Sequence, residues 1–335
     1  MFVFKPILKP LIWGGSGICP FKGISPELSG IGESWEISHV EGNYSVVASG
    51  PLEGWDIDKL IRAYGPQLLG KQVMERFGTT FPLLIKFIDA ADDLSVQVHP
   101  GDELAKQRHN SFGKTEMWYV VKASEGASLY SGFSQEIDAE EYVGRVAEGS
   151  LTDVLQRYEV KAGDSFYLPA GRVHAIGKGC FIAEIQQTSN ITYRIYDYNR
   201  KGADGKEREL HTGLAKDAID FRAFNDYRTS YAPQKDMPVT LADNNYFTVR
   251  LLDMSRACTR DFRLLDSFVI YICLEGRCTL NDNKGNTLEL TQGQTVLLPA
   301  STEYVTLLPA PETKLLEACS GENQLQITNY ELRNK

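Results

Sequence analysis

Four residues of types that bind divalent metals, Gln97, His99, Glu116 and His174, occur within fewer than eighty positions of this 335-residue sequence. The stretch SVQVHPGDE, residues 95–103, places Gln97 and His99 two positions apart, so in a strand both side chains leave the same face. Glu116 lies on the next candidate strand, TEMWYVV, and His174 follows a Pro-Gly turn. Two imidazoles, one carboxylate and one amide oxygen suit a metal of borderline softness. Zinc is the first choice, with an open position for water or substrate.

A repeated motif indicates two similar units, of which one holds the metal. Residues 163–174 read GDSFYLPAGRVH, and residues 293–304 read GQTVLLPASTEY with the same interval from glycine to proline. Tyr304 stands where the first copy has His174, so we predict that the second unit lacks this ligand. Each copy predicts a strand, a tight proline-containing turn and a second strand, forming a hairpin that closes one end of a small antiparallel barrel.

The elements around these motifs are mostly strands. Short β-branched and aromatic runs alternate with turn residues over 32–48, 81–98 and 159–196, and again from about residue 246 onward. Helical spacing predicts one helix after Asp56, its expected N-cap, and two more over 140–146 and 151–157. The fold class is therefore mainly β, with a few helices inserted in the N-terminal part. We divide the chain into a metal-binding domain, 1–235, and a domain without metal ligands, 236–335.

Composition excludes several classes of partner. The formal charge of −9 disfavours nucleic acid and acidic membranes, whereas a small anionic substrate needs only a local group of basic side chains. No apolar run reaches the roughly eighteen residues that a membrane span needs, and MFVFKPILKPLIWGG is a poor signal peptide. The six cysteines form no C-x-x-C pair, which is typical of reduced thiols in a cytoplasmic protein. The sequence does not indicate an oligomeric state.

The other histidines and Gln97 need separate interpretations. We expect His39, His109 and His211 to be ordinary polar side chains, because a lone histidine in a β-rich protein is more often structural than metal-bound. Gln97 is either a ligand or an amide that hydrogen-bonds a neighbouring ligand.

Both parts of the site match the cupin signature, H-x-H and a later Glu followed by G-x5-P-x-G-x2-H, except that Gln97 replaces the first histidine. The stretches PLIWGG, GESWEIS, PLLIKFIDAADDLSVQVHP, GKTEMWYVV, LPAGRVHAIG and TYRIYDYNR occur in this order over nearly the whole chain. Together they resemble the type I mannose-6-phosphate isomerases in their short bacterial form. The resemblance implies two cupin-like, jelly-roll β-barrels, one zinc ion per chain, and interconversion of mannose 6-phosphate and fructose 6-phosphate through an enediol.

The resemblance also implies roles for individual residues. The implied zinc ligands are His99, Glu116 and His174, with Gln97 as a further ligand. The implied catalytic residues are Arg194, Lys114 and Glu184, and those near the substrate or its phosphate are Ser95 and Lys86. Relatives commonly have an aspartate where this chain has Asn190, so a mechanism that uses that carboxylate as the base does not transfer.

Two other functions are compatible with the same ligands. Two histidines and one carboxylate are also the ligand set of non-haem iron(II) oxygenases, although Lys114 and Arg194 suit an anionic substrate better than dioxygen activation. A non-enzymatic phosphosugar-binding protein on the same scaffold is the other alternative, because a fold does not determine a function.

Overall fold

A computed structural model describes residues 1–24, 28–201 and 205–320 of the chain, and strands dominate it. The strands of the first part are β1 (Phe2–Val3), β2 (Ile7–Gly15), β3 (Ile31–Ile37), β4 (His39–Val40), β5 (Asn43–Tyr44), β6 (Leu83–Asp89), β7 (Val96–Val98), β8 (Glu116–Ala123), β9 (Ser128–Phe133), β10 (Leu155–Glu159), β11 (Ser165–Leu168), β12 (His174–Ile176), β13 (Cys180–Gln187) and β14 (Tyr193–Tyr196). Those of the second part are β15 (Pro238–Asp243), β16 (Thr248–Met254), β17 (Cys258–Asp261), β18 (Val269–Glu275), β19 (Arg277–Asp282), β20 (Thr287–Thr291), β21 (Thr295–Leu298), β22 (Tyr304–Pro309) and β23 (Thr313–Cys319).

The helices are short and lie in the first two thirds of the chain. They are α1 (Ile18–Phe21), α2 (Ile57–Tyr64), α3 (Pro66–Leu69), α4 (Lys71–Phe77), α5 (Asp102–His109), α6 (Ala139–Glu148) and α7 (Thr212–Lys216). The predicted helix after Asp56 is confirmed, since the Asp56 carboxylate accepts a hydrogen bond from the Lys59 amide. Among the described residues, no helix is long and apolar enough to cross a membrane.

The prediction of a helix over 151–157 is wrong beyond its first turn. A 3-10 turn covers Leu151–Val154, and the chain then continues as β10, which pairs antiparallel with β9. The apolar spacing around Leu155 allowed both structures. Pairing with a neighbouring strand decided between them, as tertiary contacts often override local propensity.

The first part contains two antiparallel sheets. One has the order β11-β8-β13-β6-β3-β2, and the other has the order β10-β9-β12-β7-β14. The inner faces of the two sheets meet at the candidate site, where side chains of β8 contact those that follow β7 and begin β12. The expectation of a mainly β chain is therefore confirmed.

The second part repeats this arrangement except for β2 and β14, which have no counterpart in its strand order. Its larger sheet has the order β21-β18-β23-β16-β15, which corresponds to β11-β8-β13-β6-β3, and β1 is added at the β21 edge. Its smaller sheet, β17-β22-β19-β20, corresponds to β7-β12-β9-β10. The short motif repeat therefore reflects two units that share one strand order.

The proline turns connect the two sheets of a unit and do not form hairpins. Strand β11 pairs with β8, whereas β12 pairs with β9 and β7 in the opposite sheet. The second copy behaves alike, because β21 pairs with β18 and β22 pairs with β17 and β19. The hairpin prediction was therefore wrong. The turn carries the chain from one sheet to the facing sheet, and this places His174 opposite Glu116 of β8.

The larger sheets of the two units share one hydrophobic core. Ile85 and Ile185 from the first unit lie in the same buried cluster as Leu251 and Ile270 from the second, together with apolar residues of α2, α3 and α4. Side chains that alternate with these on β6, β8 and β13 point the other way, into the candidate site. The division at residue 235 stays a prediction, and contacts cross it extensively.

Candidate metal centre and active site

Three side chains from two facing sheets converge on one buried point. His99 directly follows β7, His174 begins β12, and Glu116 begins β8 in the opposite sheet. The Glu116 carboxylate lies 3.5 Å from Nε2 of His99 and 3.2 Å from Nε2 of His174. One ligand atom from each residue falls within 4.8 Å of the others, and all three residues are buried. The structure therefore brings together the three predicted ligands.

Backbone carbonyl groups orient both imidazoles. Nδ1 of His99 lies 2.9 Å from the Ile191 carbonyl oxygen, and Nδ1 of His174 lies 2.8 Å from that of Arg172. A carbonyl oxygen only accepts, so each Nδ1 carries the proton and donates it. Each Nε2 therefore keeps its lone pair, which points toward Glu116. Such outer hydrogen bonds are typical of metal-binding histidines.

The environment keeps the imidazoles neutral and the carboxylate charged. Burial and the nearby Lys114 charge lower the pKa of His99 to about 3, and burial lowers that of His174. Burial pushes the pKa of Glu116 up, but the positive charge of Lys114 and the adjacent His174 and His99 outweigh it, so the pKa falls well below the usual value. Metal ligands need these protonation states.

The site contains polar atoms whose hydrogen-bonding capacity is unused. Both carboxylate oxygens of Glu116 and Nε2 of His174 are buried, and among the described residues they have no hydrogen bond of good geometry. Lys114 Nζ lies 2.9 Å from Oε2 of Glu116 and 3.1 Å from Nε2 of His99. Buried acceptors without partners are costly, so this set of donor atoms suits a bound cation.

Gln97 and Arg194 lie beside His174 on neighbouring strands of the smaller sheet. Gln97 is the cross-strand partner of His174 on one side and of Arg194 on the other. Directly opposite residues face the same side of a sheet, so all three side chains leave it in one direction. The Arg194 Nη1 donates to the Glu209 carbonyl oxygen at 3.1 Å, and burial and the charge of Arg208 lower its pKa. Ser95, two residues before Gln97, is buried.

A second buried group lies on the larger sheet beside the ligands. Lys86 and Trp118 are the cross-strand partners of Glu184. The Lys86 Nζ lies 3.2 Å from one Glu184 oxygen, and the Trp118 Nε1 donates to the other at 2.8 Å. Lys86 is only 5% exposed, so it is not a surface lysine. Burial and the charge of Glu116 raise the pKa of Glu184, against the effect of Lys86.

Sequence reasoning missed two members of this group. Glu33 lies 3.7 Å from Lys86 Nζ and also accepts a hydrogen bond from Trp35 at 2.6 Å. Trp118 is fully buried and holds Glu184 through its ring N–H. Glu33 and Trp118 both lie inside stretches that carry the family resemblance, GESWEIS and GKTEMWYVV, and that was the available signal.

The remaining histidines have polar contacts of their own. Nδ1 of His39 accepts from the Phe81 amide, and Nε2 of His109 lies 2.8 Å from the Tyr193 hydroxyl. Nδ1 of His211 accepts from the Arg194 amide at 3.1 Å. These three histidines thus lie outside the cluster formed by His99, Glu116 and His174.

The second unit has other residues at the positions of the ligands. Val269 occupies on β18 the place of Glu116 on β8, since each pairs with the last residue of the strand before the proline turn. Tyr304 does not take the place of His174, because it is 42% exposed and points outward. The next residue, Val305, is buried and pairs with Arg260, as His174 pairs with Gln97. Arg260 therefore stands in the place of Gln97.

The buried carboxylate beside the ligands is retained in the second unit. Glu317 on β23 pairs with Arg250 and Tyr271, as Glu184 pairs with Lys86 and Trp118. The Tyr271 hydroxyl donates to Glu317 at 2.8 Å, and Arg260 donates to both of its oxygens at 2.8 and 2.9 Å. Both oxygens of Glu317 thus accept hydrogen bonds, from Arg260 and Tyr271. In contrast, one oxygen of Glu184 lacks a well-formed hydrogen bond.

Comparisons with known proteins agree with this geometry. Residues 1–122 match the family described as phosphomannose isomerase type I, catalytic domain, and residues 238–309 match the mannose-6-phosphate isomerase cupin domain. Mannose-6-phosphate isomerase ManA of Bacillus subtilis is 36% identical over 82% of this chain and 85% of its own length. A crystal structure of mannose 6-phosphate isomerase from Bacillus subtilis has a TM-score of 0.84 at 30% identity, covering 95% of this chain and 98% of that one.

A more distant crystal structure, described as holo, zinc-bound mannose 6-phosphate isomerase, has a TM-score of 0.76 at 15% identity over 96% of this chain and 99% of that one. Residues 238–309 match a cupin domain, and the strand order of the first unit repeats that of this second unit. The identity to ManA, the length of chain that it covers and the two family matches lead to one conclusion: the chain belongs to the type I mannose-6-phosphate isomerase family of enzymes.

Proposed function

We propose that this chain interconverts mannose 6-phosphate and fructose 6-phosphate, with one zinc ion held by His99, Glu116 and His174. The convergence of these ligands, with unpartnered acceptor atoms, carries the proposal. Two atoms bound to one tetrahedral zinc ion at about 2.05 Å lie roughly 3.4 Å apart. The separations across Glu116 are close to this value, at 3.2 Å from Oε1 to His174 and 3.5 Å from Oε2 to His99, and one ligand atom from each residue lies within 4.8 Å of the others. Gln97 supplies a further amide oxygen ligand in this proposal.

The reaction moves two protons within the open-chain sugar. A carbon-bound proton leaves C2 and arrives at C1, and the hydroxyl proton of O2 moves to O1, with an enediol between the two forms. Protons next to a carbonyl group are weakly acidic, so a base needs help from an electrophile. When bound, zinc supplies that electrophile by polarising the sugar oxygens without changing its oxidation state.

Glu184 is our candidate for the base that takes the proton from C2 and delivers it to C1. Its carboxylate is buried beside the ligands, and burial with the Glu116 charge raises its pKa, which brings it nearer to neutrality. A raised pKa favours a carboxyl group that accepts a proton and later returns it. Lys86 and Trp118 fix the two oxygens in place. Lys114 is the competing candidate.

Lys114 and Arg194 provide positive charge at the reacting oxygens. Lys114 Nζ already lies within 3.1 Å of two ligand side chains, so it is placed to move the hydroxyl proton between O1 and O2. Arg194 faces the same side of its sheet as His174 and Gln97, about 10 Å from His174 by two strand spacings. Its guanidinium cannot lose its charge near neutral pH and would stabilise negative oxygen on the substrate.

The phosphate group of the substrate needs contacts that hold the sugar in one register. Ser95 and Lys86 remain our proposed contacts with the substrate or its phosphate, but the Lys86 ammonium lies between Glu184 and Glu33. These contacts favour a role for Lys86 in holding Glu184. We also propose a cytoplasmic location, which the six free cysteines support.

The decisive experiment strips the purified protein with a chelator, restores zinc, and measures conversion of mannose 6-phosphate to fructose 6-phosphate. His99→Ala should lose zinc and turnover together, whereas Arg194→Ala should keep zinc and lose turnover. His109→Ala is the control, because this histidine contacts Tyr193 outside the ligand cluster. Folded, zinc-loaded wild type without turnover would refute the proposal.

If zinc-loaded wild type shows no turnover, the oxygenase and the phosphosugar-binding protein are the functions to test. Oxygen consumption with iron(II) would indicate an oxygenase, and phosphosugar binding without conversion would indicate a binding protein. Family membership favours neither of them.

A further inference from the structure

The segment that carries Lys114 is held through three consecutive backbone amides. The Gly113 amide donates to Oδ1 of Asp102 at 2.8 Å, and the Lys114 amide donates to the Pro100 carbonyl oxygen at 3.1 Å. The Thr115 amide donates to Oε1 of Gln187 at 2.8 Å. A side chain added at Gly113 would come within 2.5 Å of the Asp102 amide nitrogen, so this position needs glycine. The main chain at Lys114 is therefore tied on both sides.

The Asp102 carboxylate connects these hydrogen bonds to one another. Its Oδ1 accepts from Gly113 and also from Nε2 of Gln187 at 3.0 Å, which links the two side chains that hold the segment. Its Oδ2 accepts from the hydroxyl of Tyr246 at 2.8 Å. Tyr246 belongs to the turn between β15 and β16, in the unit without metal ligands. One hydrogen bond thus connects that unit to the active-site segment.

Tyr246 is well suited to be a permanent donor. Burial and the hydrogen bond to Asp102 raise its pKa to about 12, so the phenol stays protonated at all physiological pH values. Its ring is fixed by Arg76, whose guanidinium carbon lies 5.4 Å from the ring centre. Its own backbone amide donates to Oδ1 of Asn244, which fixes the turn.

We propose that Asp102 and Tyr246 are positioning residues for Lys114: Tyr246 fixes the Asp102 carboxylate, and Asp102 with Gln187 fixes the backbone of 113–115. The Lys114 ammonium is thereby held beside His99 and Glu116. The second unit, which has Val269 and Val305 at the ligand positions, then contributes to catalysis without touching the substrate. The kinetic part of this inference rests on the proposed function.

The geometry explains why one hydroxyl group matters. Without the bond from Tyr246, no other hydrogen bond among the described residues holds Oδ2 of Asp102. The carboxylate can then turn about its last side-chain torsion. The two bonds at Oδ1 then weaken together, because they share that oxygen. A displacement of about 1 Å in a catalytic group can lower a rate by roughly 100-fold, so a partial loosening lowers it less.

The test compares Tyr246→Phe with Tyr271→Phe. Both substitutions remove one hydroxyl that donates to a carboxylate at 2.8 Å, and both residues lie in the second unit. Tyr271 contacts Glu317, away from the segment that carries Lys114, so it is a matched control. Amide hydrogen exchange of residues 110–116 reports on the segment without needing turnover, and thermal unfolding reports on stability.

We expect Tyr246→Phe to speed exchange at Gly113 and Thr115 by about 5- to 10-fold, which corresponds to the roughly 1 kcal/mol that a typical intramolecular hydrogen bond contributes. We expect kcat to fall by about 3- to 10-fold, with KM for mannose 6-phosphate within twofold of wild type. Tyr271→Phe should lower the unfolding temperature and change neither quantity. Unchanged exchange in Tyr246→Phe, or equal changes in both variants, would overturn the inference.

Asp102→Asn provides a second variant, because it keeps an acceptor for Gly113 and removes the charge. Exchange at Gly113 should rise less than in Asp102→Ala, and equal effects of the two would overturn the inference. If the wild type itself does not convert mannose 6-phosphate, the proposed function fails, while the exchange measurements still decide the positioning role.

Discussion

The internal repeat offers a matched pair of substitutions that separates catalysis from stability, Glu184→Gln and Glu317→Gln. Each carboxylate is buried at the same strand position of its unit, with a cation on one neighbouring strand and an aromatic donor on the other. Glutamine keeps the shape of the side chain and removes the charge. We expect both variants to be less stable and only Glu184→Gln to be slow.

The stability cost follows from the cations left behind. Breaking a buried ion pair by removing one partner costs about 3–5 kcal/mol. Glu184→Gln leaves Lys86 with Glu33 at 3.7 Å, so we expect the lower end of this range. Glu317→Gln withdraws the carboxylate that Arg260 and Arg250 both contact, so we expect the upper end. Urea unfolding of the two zinc-loaded variants measures the difference.

The catalytic cost should appear in one variant alone. Removing a proton-transfer group lowers kcat by about 10²- to 10⁴-fold. Glu184→Gln should show this loss, and Glu317→Gln should stay within about threefold of wild type at a temperature where both are folded. Glu184→Asp serves as a second variant if glutamine prevents folding. A kcat for Glu184→Gln within threefold of wild type would show that Glu184 does not carry the proton.

Three further predictions concern the metal, the pH dependence and the contact between units. Removing zinc should lower stability by about 4 kcal/mol relative to protein in free zinc at 1,000 times Kd, and His99→Ala should abolish this zinc-dependent shift in thermal unfolding. Arg260 and Arg250 lower the pKa of Glu317 in spite of burial, so its stabilising effect is present above the unfolded value of about 4.3 and lost at lower pH. The gap in unfolding temperature between wild type and Glu317→Gln should therefore narrow below about pH 4, and a constant gap would contradict this reasoning. Asp266 of the second unit accepts from the Lys71 and Gln72 amides at the start of α4, so Asp266→Ala should cost about 1 kcal/mol in urea unfolding; a cost no larger than that of Asp261→Ala, which contacts Arg263 only locally, would refute the capping role.

The members of the candidate metal site could be predicted from the sequence because their signals are local. Gln97 and His99 are two residues apart on one strand, and His174 ends a motif of fixed length, so spacing alone indicates which side chains share a face. The helix after Asp56 was predictable for the same reason, since the cap and the apolar stripe lie within one turn of each other.

Long-range pairing limited the rest of the sequence analysis. The proline turns were predicted to join paired strands, but each of them connects opposite sheets. Tyr304 matches His174 in the motif, yet one extra residue after the turn moves it to the outer face and puts Val305 inside. A shift of one residue reverses every side chain of a strand, and no local pattern reports it.

The sequence by itself determined the fold class, the family and the three residues that the structure brings together as a candidate metal site, because each depends on short motifs whose order and spacing survive in the linear chain. Only the tertiary structure decided which charges surround those ligands. Lys86, Glu184 and Glu33 are far apart in sequence and meet only because β6, β13 and β3 are neighbours in one sheet. The bond from Tyr246 to Asp102 likewise exists only because two units pack together. Charges act through space, so their effects follow from the packing of strands that the sequence does not display.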